Sequence, residues 1–405
     1  MSERRIPDDQ RTLLLLLSNS LFGGEMPKDL GDLAAVWREA IQQTVVLLAL
    51  KNMDASMFPP QMRDAIRRNI NNNLARELRL ARGHAELSAL LASAGIPHVL
   101  IKGYASALWY PEPELRQMGD VDFYVAPEDA ARAEALLMTT GYEPEKMSHD
   151  VHHVFKKNGC RYELHFDIPG APDGAAGERC RAVFRDLFAE SEIRRTAFGD
   201  MRVPSPYHHG LILLLHTAHH LTGSGIGLRH LCDWAVFITN APQDAAFQTR
   251  FTQTLRELGL YRFARSLTDL CVLALGCPAP TPTYVPDRDT ADALLADILE
   301  GGNFGQKDVS RTRQAYLITS GTGTDSVVRR MFTLLGGMVR QKWPAANACP
   351  LLIPAGIVWF AFVYLLRAAA GKRPKPFARE ALRGARQRTF LYNGFQLFEP
   401  EEENV

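Results

Sequence analysis

The chain has 405 residues and a formal net charge of +1, with 46% hydrophobic and 22% charged residues. This is ordinary globular composition, able to bury a core of normal size, and it supplies no global field that would draw in a polyanion. The six cysteines (Cys160, Cys180, Cys232, Cys271, Cys277, Cys349) form no CxxC pair, so reduced thiols in the cytoplasm are the simplest reading.

Residues 1–10 are polar and of mixed charge, unlike a secretory leader. Residues 11–95 read as helices. An apolar run at 13–17 is broken by Gly23-Gly24, residues 33–50 mix apolar and polar positions at helical spacing, and Pro59-Pro60 separates that unit from the next. Residues 62–91 form a long amphipathic pattern with Ile66, Ile70, Leu74, Leu78, Ala81, Leu87 and Leu91 near one face, closed by Gly95. The texture then changes. Residues 97–102 read as a strand ending in Gly103, 104–109 as a helical turn, 119–125 as a second strand and 127–140 as a helix stopped by Gly141. Residues 151–157 and 160–168 are strands joined by a hairpin at Lys157-Asn158-Gly159, and 170–177 is a Gly/Ala/Pro-rich loop.

Helices return from Ser205: 207–221, 228–239, 245–259, 261–275, 289–299 and 327–339, with a Pro-rich loop through Pro286 and an acidic tail at 401–405. Residues 343–366 contain no charge, and Arg367, Lys372, Arg373 and Lys375 follow them. Pro344, Pro350 and Pro354 cut the clean helical part to about a dozen residues, shorter than a membrane span needs. The expectation is a helix that is buried or lies at an interface. A peripheral membrane contact through 351–375 is the alternative open to a basic, apolar segment.

Chemistry concentrates in the middle of the chain. In Gly119-Asp120-Val121-Asp122-Phe123-Tyr124-Val125, strand alternation puts Asp120 and Asp122 on one face and Val121, Phe123 and Val125 on the other. The apolar face suits a core. Two neighbouring carboxylates repel unless a cation lies between them or one is protonated, and Mg²⁺ favours such hard oxygen ligands together with substrate phosphate. The strand from Tyr162 to Asp167 repeats the pattern, with Glu163, His165 and Asp167 sharing a face. If it neighbours the first strand, Glu163 is the third metal ligand, and His165 binds phosphate or orients the site. Upstream, Lys102-Gly103 ends a strand and opens a helical turn. Gly103 admits close backbone approach to a phosphate, and Lys102 adds a point charge. Arg116 is placed to clamp a triphosphate by bidentate contacts.

Each feature has a plainer alternative. A lone D-x-D is often a solvated surface pair, and a lone Lys-Gly turn says less. The ordered set of strand, Lys-Gly, Arg, D-x-D strand, hairpin and Glu-x-His strand favours a site. In the helical half, His216, His219 and His220 stand at helical spacing, with Arg229 and Asp233 one turn apart on the next helix. HExxH is absent and no cysteine stands at zinc-ligand spacing. The cluster is either a polar packing patch, with Arg229 and Asp233 as a helix ion pair, or a wall that lines the catalytic cleft. His149, His152 and His153 either border the same cleft or are exposed strand residues.

The run "IKGYASALWYPEPELRQMGDVDFYV", with "YELHFDI" after it, resembles the bacterial uncharacterised nucleotidyltransferase family of the polymerase-beta-like superfamily. So do "NNNLAREL" and "LLLHTAHHLTGSGIGLRHLCDW". The superfamily usually carries Gly-Ser where this chain has Lys102-Gly103. The resemblance implies an α+β fold: a small mixed-sheet core at 95–204 between helical regions at 1–94 and 205–405, with Asp120 and Asp122 as metal ligands. The expected function is Mg²⁺- (or Mn²⁺-) dependent transfer of a nucleoside monophosphate from an NTP to a hydroxyl of a protein, small molecule or sugar. The rival is a non-catalytic nucleotide-binding or accessory protein of the same fold, with a membrane-peripheral version of it. No interleaving of aromatic and basic residues points to a nucleic-acid groove. On the repulsion argument, Asp120→Asn and Asp122→Asn should each leave the fold intact, or slightly more stable without metal.

Overall fold

The computed structural model describes residues 6–145, 152–308 and 311, and parts of 335–369 and 388–401. The candidate helix at 327–339 and His149 lie largely or wholly outside the described residues, as do Lys372, Arg373 and Lys375.

The chain opens with helices α1 (Asp8–Phe22), α2 (Leu33–Gln42) and α3 (Val46–Ala49), then the long α4 (Pro60–Ser93). Pro60 stands in the first turn of α4, where its missing N–H costs nothing. The buried face of α4 differs from the apolar stripe expected of it. Ile66, Ala81, Leu87 and Leu91 are buried, but Leu78 is exposed, and Glu77, His84 and Ser88 are buried among them. The second half of the helix supports polar loops, so its inner face carries their hydrogen-bond partners.

A five-stranded sheet follows: β1 (Val99–Leu100), β2 (Val121–Tyr124), β3 (Glu143–Pro144), β4 (His152–Lys157) and β5 (Cys160–His165), in the order β1-β2-β5-β4-β3. β2 and β5 run parallel, and the remaining pairs are antiparallel. The short helix α5 (Tyr104–Ala107) follows β1, and α6 (Ala130–Thr139) links β2 to β3. The β4–β5 hairpin turns at Asn158 (φ 52°) and Gly159 (φ 73°), the two left-handed positions its Asn-Gly sequence announces.

Beyond the sheet the Gly/Ala-rich segment forms helix α7 (Gly174–Val183), and a second hairpin, β6 (Glu192–Thr196) with β7 (Gly199–Val203), packs on α4. Neither element is among the sequence expectations. The helices α8 (Pro206–Thr222), α9 (Leu228–Asn240), α10 (Ala245–Glu257), α11 (Tyr261–Leu275) and α12 (Arg288–Gly301) match them closely.

The apolar residues divide into two principal cores. One lies between the sheet, the second half of α4 and β7: Val121, Phe123, Val125, Leu164, Leu87, Leu91 and Met201. The other joins α1–α3 to α8–α12, chain-distant helices that share one interior. The sheet has a face toward each. On β2, Val121 and Phe123 enter the first core, while Tyr124, on the opposite face with Asp122, packs against the second. The carboxylate face of the sheet is therefore turned to the helical half.

Helix α13 (Leu352–Ala369) packs through Ile357, Ile353 and Phe360 on a small cluster with Val339 and Trp343, and leaves Val358, Trp359, Phe362 and Leu366 exposed. Among the described residues no helix is long and apolar enough to cross a membrane.

Candidate active site

The parallel register of β2 and β5 sets Asp122 opposite Glu163, so the two carboxylates project side by side from one face. Asp122, Glu163 and His165 each offer a ligand atom, and these lie within 4.8 Å of one another. Asp120 stands just ahead of β2, close enough to Asp122 for a hydrogen bond when one of the two is protonated.

One buried cation serves this group. Lys102 Nζ lies 2.6 Å from Asp122 Oδ1, and His165 Nε2–H donates to the same oxygen at 2.9 Å. Burial opposes the charge on Asp122, but Lys102 and His165 outweigh it and hold this carboxyl far below the usual range. At Asp120 the same Lys102 charge does not suffice: burial, then repulsion by Asp122, pushes it up to about 7. Burial acts against the Lys102 charge, yet Asp122, Asp120 and Glu163 together keep its pKa above the ordinary lysine value. Glu163 also faces the half-exposed Arg161 (3.1 Å) and lies 3.6 Å from His165 and 3.8 Å from His152. Its carboxyl is lowered, because the His165 hydrogen bond and Lys102 overcome burial. His153, one residue on, points the other way and pairs with Glu134.

The turn that carries Lys102 is locked. Gly103 has φ 57° and ψ −118°, and a Cβ there would stand 2.4 Å from His84 Nε2. His84 is fully buried, donates from Nδ1 to the Leu80 carbonyl (2.8 Å) and accepts the Tyr104 N–H at Nε2 (3.2 Å). Burial lowers its pKa to about 4, which keeps the ring neutral and that acceptor available. The Tyr104 amide beside the expected phosphate turn is thus already bonded, and α5 is a single turn.

Arg116 also departs from its expected role. It is buried, and its Nε and Nη2 each reach an oxygen of Asp233 at 2.7 Å. Its Nη1 donates to the Gly103 carbonyl (3.1 Å). Tyr110 donates to Asp233 Oδ1 (2.7 Å). A guanidinium fork consumed by a carboxylate of α9 is not placed to clamp a triphosphate, and Asp233 is committed to Arg116 rather than to its helix neighbour Arg229. Arg229 instead donates from Nη1 to the Gln117 carbonyl (3.1 Å).

The histidine wall of α8 and α9 lies within reach of the Lys102 charge. Gly170 (φ 84°), in the loop after β5, packs on α8 so tightly that a Cβ would stand 2.4 Å from the Leu215 carbonyl oxygen. This sets the backbone of His216 against the loop that leaves β5. The rings of His216 and His220 lie 4.3 Å apart, and His230 of α9 lies 5.9 Å and 6.1 Å from them. Burial lowers the pKa of all three, and the Lys102 charge lowers each further. Arg229 in turn feels the charge of Asp120. Asp167, the last acid of β5, lies outside this grouping in an ion pair with Arg181 of α7 (2.7 Å).

His84, Glu77, His230 and the Arg116–Asp233 link were not among the sequence candidates. His84 and Glu77 are seven residues apart in α4, two turns of helix, so a shared buried polar face was open to inspection. The Arg116–Asp233 link spans the two halves of the chain and left no local signal.

A mixed sheet with adjacent carboxylates on parallel strands, closed by a helical wall, defines an α+β protein with a candidate acidic metal centre. Residues 29–276 match the model of the family described as uncharacterised nucleotidyltransferase. The chain belongs to that family. Comparison with curated proteins finds no relative.

Proposed function

We propose that the face of β2 and β5 catalyses transfer of a nucleoside monophosphate from an NTP to the hydroxyl of a protein, small molecule or sugar, on a polymerase-beta-like core. The observation that carries this reading is the charge balance: Asp120, Asp122 and Glu163 share one buried ammonium, Lys102. Even with Arg161 beside Glu163, three carboxylates face two cations, and burial together with repulsion by Asp122 pushes Asp120 up to about 7. A divalent cation answers that surplus. Asp122 and Glu163 would hold Mg²⁺ or Mn²⁺, with Asp120 beside them, and the bound ion supplies charge neutralisation on the phosphate oxygens.

The residues present divide the remaining work. His165 orients Asp122 by donating to Oδ1, as a partner of a metal-binding carboxylate does. Lys102 is tethered beside the carboxylates by the locked Gly103 turn, where its ammonium can pass to a phosphate oxygen. In the reaction the acceptor oxygen bonds the α-phosphorus and the bond from that phosphorus to the β-phosphate oxygen breaks. Pyrophosphate leaves, and the acceptor proton passes to a carboxylate of the group and then to water.

The test is incubation of the full chain with labelled NTPs and Mg²⁺ or Mn²⁺, reading pyrophosphate release and label on added acceptors. Asp120→Asn and Asp122→Asn should bring metal-dependent turnover to background; wild-type turnover in both sinks the metal-site reading. A second reading has its own support. Lys102 Nζ contacts Asp122 Oδ1 where a metal would bind, so an internal cation can stand in for it in a non-catalytic nucleotide-binding protein. That reading requires NTP binding without pyrophosphate release at any metal concentration.

A further inference from the structure

The wall of α8 and α9 holds buried polar atoms whose bonding is incomplete. His230 is buried, and among the described residues its ring nitrogens have no well-formed hydrogen bond, only an approach to the Gly227 backbone. Among the same residues Nε of Arg229 has no hydrogen-bond partner. Buried imidazole and guanidinium nitrogens are rarely left so, because each forfeits its bonds to water. A cation is the wrong guest. His216, His220 and His230 do not converge as ligands, since among the described residues only Asp122, Glu163 and His165 do so. Arg229 beside them, and Lys102 whose charge reaches all three rings, would repel a metal ion. An anion suits every one of these groups.

At the rim of this wall stands Phe304. It is 40% exposed, and its φ of 53° and ψ of 36° are left-handed. A bulky side chain seldom adopts that conformation, and holding it there is strained. The turn around it is anchored. Gly302 and Gly305 also have positive φ, and Asn303 donates to Thr44 (2.9 Å). Gly227 packs so close to Asn303 that a Cβ would stand 2.7 Å from the Asn303 Cβ. The turn thus aims an aromatic ring outward where glycine would be easier. That ring lies 4.6 Å from the ring of His220 and 5.5 Å from that of His230, with the Arg229 guanidinium 5.9 Å from its centre.

We propose that this wall is the donor nucleotide's subsite: Arg229 and His230 meet the polyphosphate, and the exposed face of Phe304, backed by His220, stacks the base. The inference rests on the nucleotidyl-transfer reading and deepens it. The matched family region ends at residue 276, so base recognition by Phe304 lies in the part of the chain beyond that match.

The experiment titrates ATP and inorganic tripolyphosphate into the full chain with Mg²⁺ and measures binding calorimetrically. Phe304→Gly should lower ATP affinity about tenfold, the scale of one base–aromatic stack, and leave tripolyphosphate binding unchanged. Its melting temperature should equal or exceed that of the wild type, because glycine relieves the left-handed strain. Phe304→Trp should keep wild-type ATP affinity. Arg229→Gln should weaken ATP and tripolyphosphate alike. Unchanged ATP affinity in Phe304→Gly, with labelled-NTP turnover intact, overturns the inference and leaves nucleotidyl transfer standing. A wild-type chain that binds neither ATP nor tripolyphosphate and turns over no NTP overturns both.

Discussion

Arg116 meets Asp233 through two parallel contacts of 2.7 Å, and Asp233 accepts a third bond from Tyr110. Lys102 meets Asp122 through one contact of 2.6 Å, on an oxygen it shares with His165. Both pairs are buried and both flank Gly103, yet they differ in kind. The guanidinium pair ties the loop before β2 to α9 and has its bonding filled, so it fixes the angle between sheet and helices. The ammonium pair is a point contact among three carboxylates, and a flexible lysine stem can leave it. Burial and charge alone therefore do not mark a reactive site. What separates the two is whether the partner's bonding is complete.

The largest stability effect should come from breaking the closed pair. Asp233→Ala leaves Arg116 buried without its carboxylate and should cost about 3–5 kcal/mol. Chemical denaturation checks this, and a loss below about 1 kcal/mol would mean the link is not structural. Asp122→Asn should cost less without metal, about 2–3 kcal/mol, because Lys102 retains Asp120 and Glu163 within reach. Asp120→Asn, which removes a carboxyl already pushed up to about 7, should be neutral or stabilising at pH 8. This splits the sequence expectation, which treated the two aspartates alike: the neighbour that repels one of them is pinned by a lysine. Equal denaturation midpoints for the two variants in chelator would erase the distinction.

A pH-dependent effect concerns Glu77, which supports the same loop from α4. Its Oε2 accepts the Met118 N–H at 2.7 Å, and burial pushes its carboxyl up to about 7 from an ordinary 4.5. A carboxyl with a raised folded-state pKa binds its proton more tightly in the folded chain. Its penalty is absent below pH 4.5, grows as pH climbs between the two values and is fully present above 7. Glu77→Gln keeps an acceptor for Met118 and removes the charge, so it should stabilise the chain on the order of 2 kcal/mol at pH 8 and much less at pH 5. Thermal melts at the two pH values decide it; an equal shift at both would show that the gain does not come from ionisation.

Local pattern alone determined a good deal of this protein. Alternation in residues 119–125 separated Val121, Phe123 and Val125 from Asp120 and Asp122, since a strand has only two faces and a core accepts only one of these sets. Asn158-Gly159 announced its hairpin because those residues tolerate positive φ. Helical spacing found α8 to α12 for the same local reason. Tertiary structure decided the rest. Register across the parallel β2–β5 pair placed Glu163 beside Asp122, and no property of either strand by itself specifies that partner. The fates of Arg116 and Lys102 were equally beyond local reading. Both are cations near a glycine turn, and only the arrival of Asp233 on α9, 117 residues on from Arg116, made one a structural tie and left the other among the carboxylates. The strength of a charge–charge contact depends on distance and burial, and both are set by which distant elements pack together.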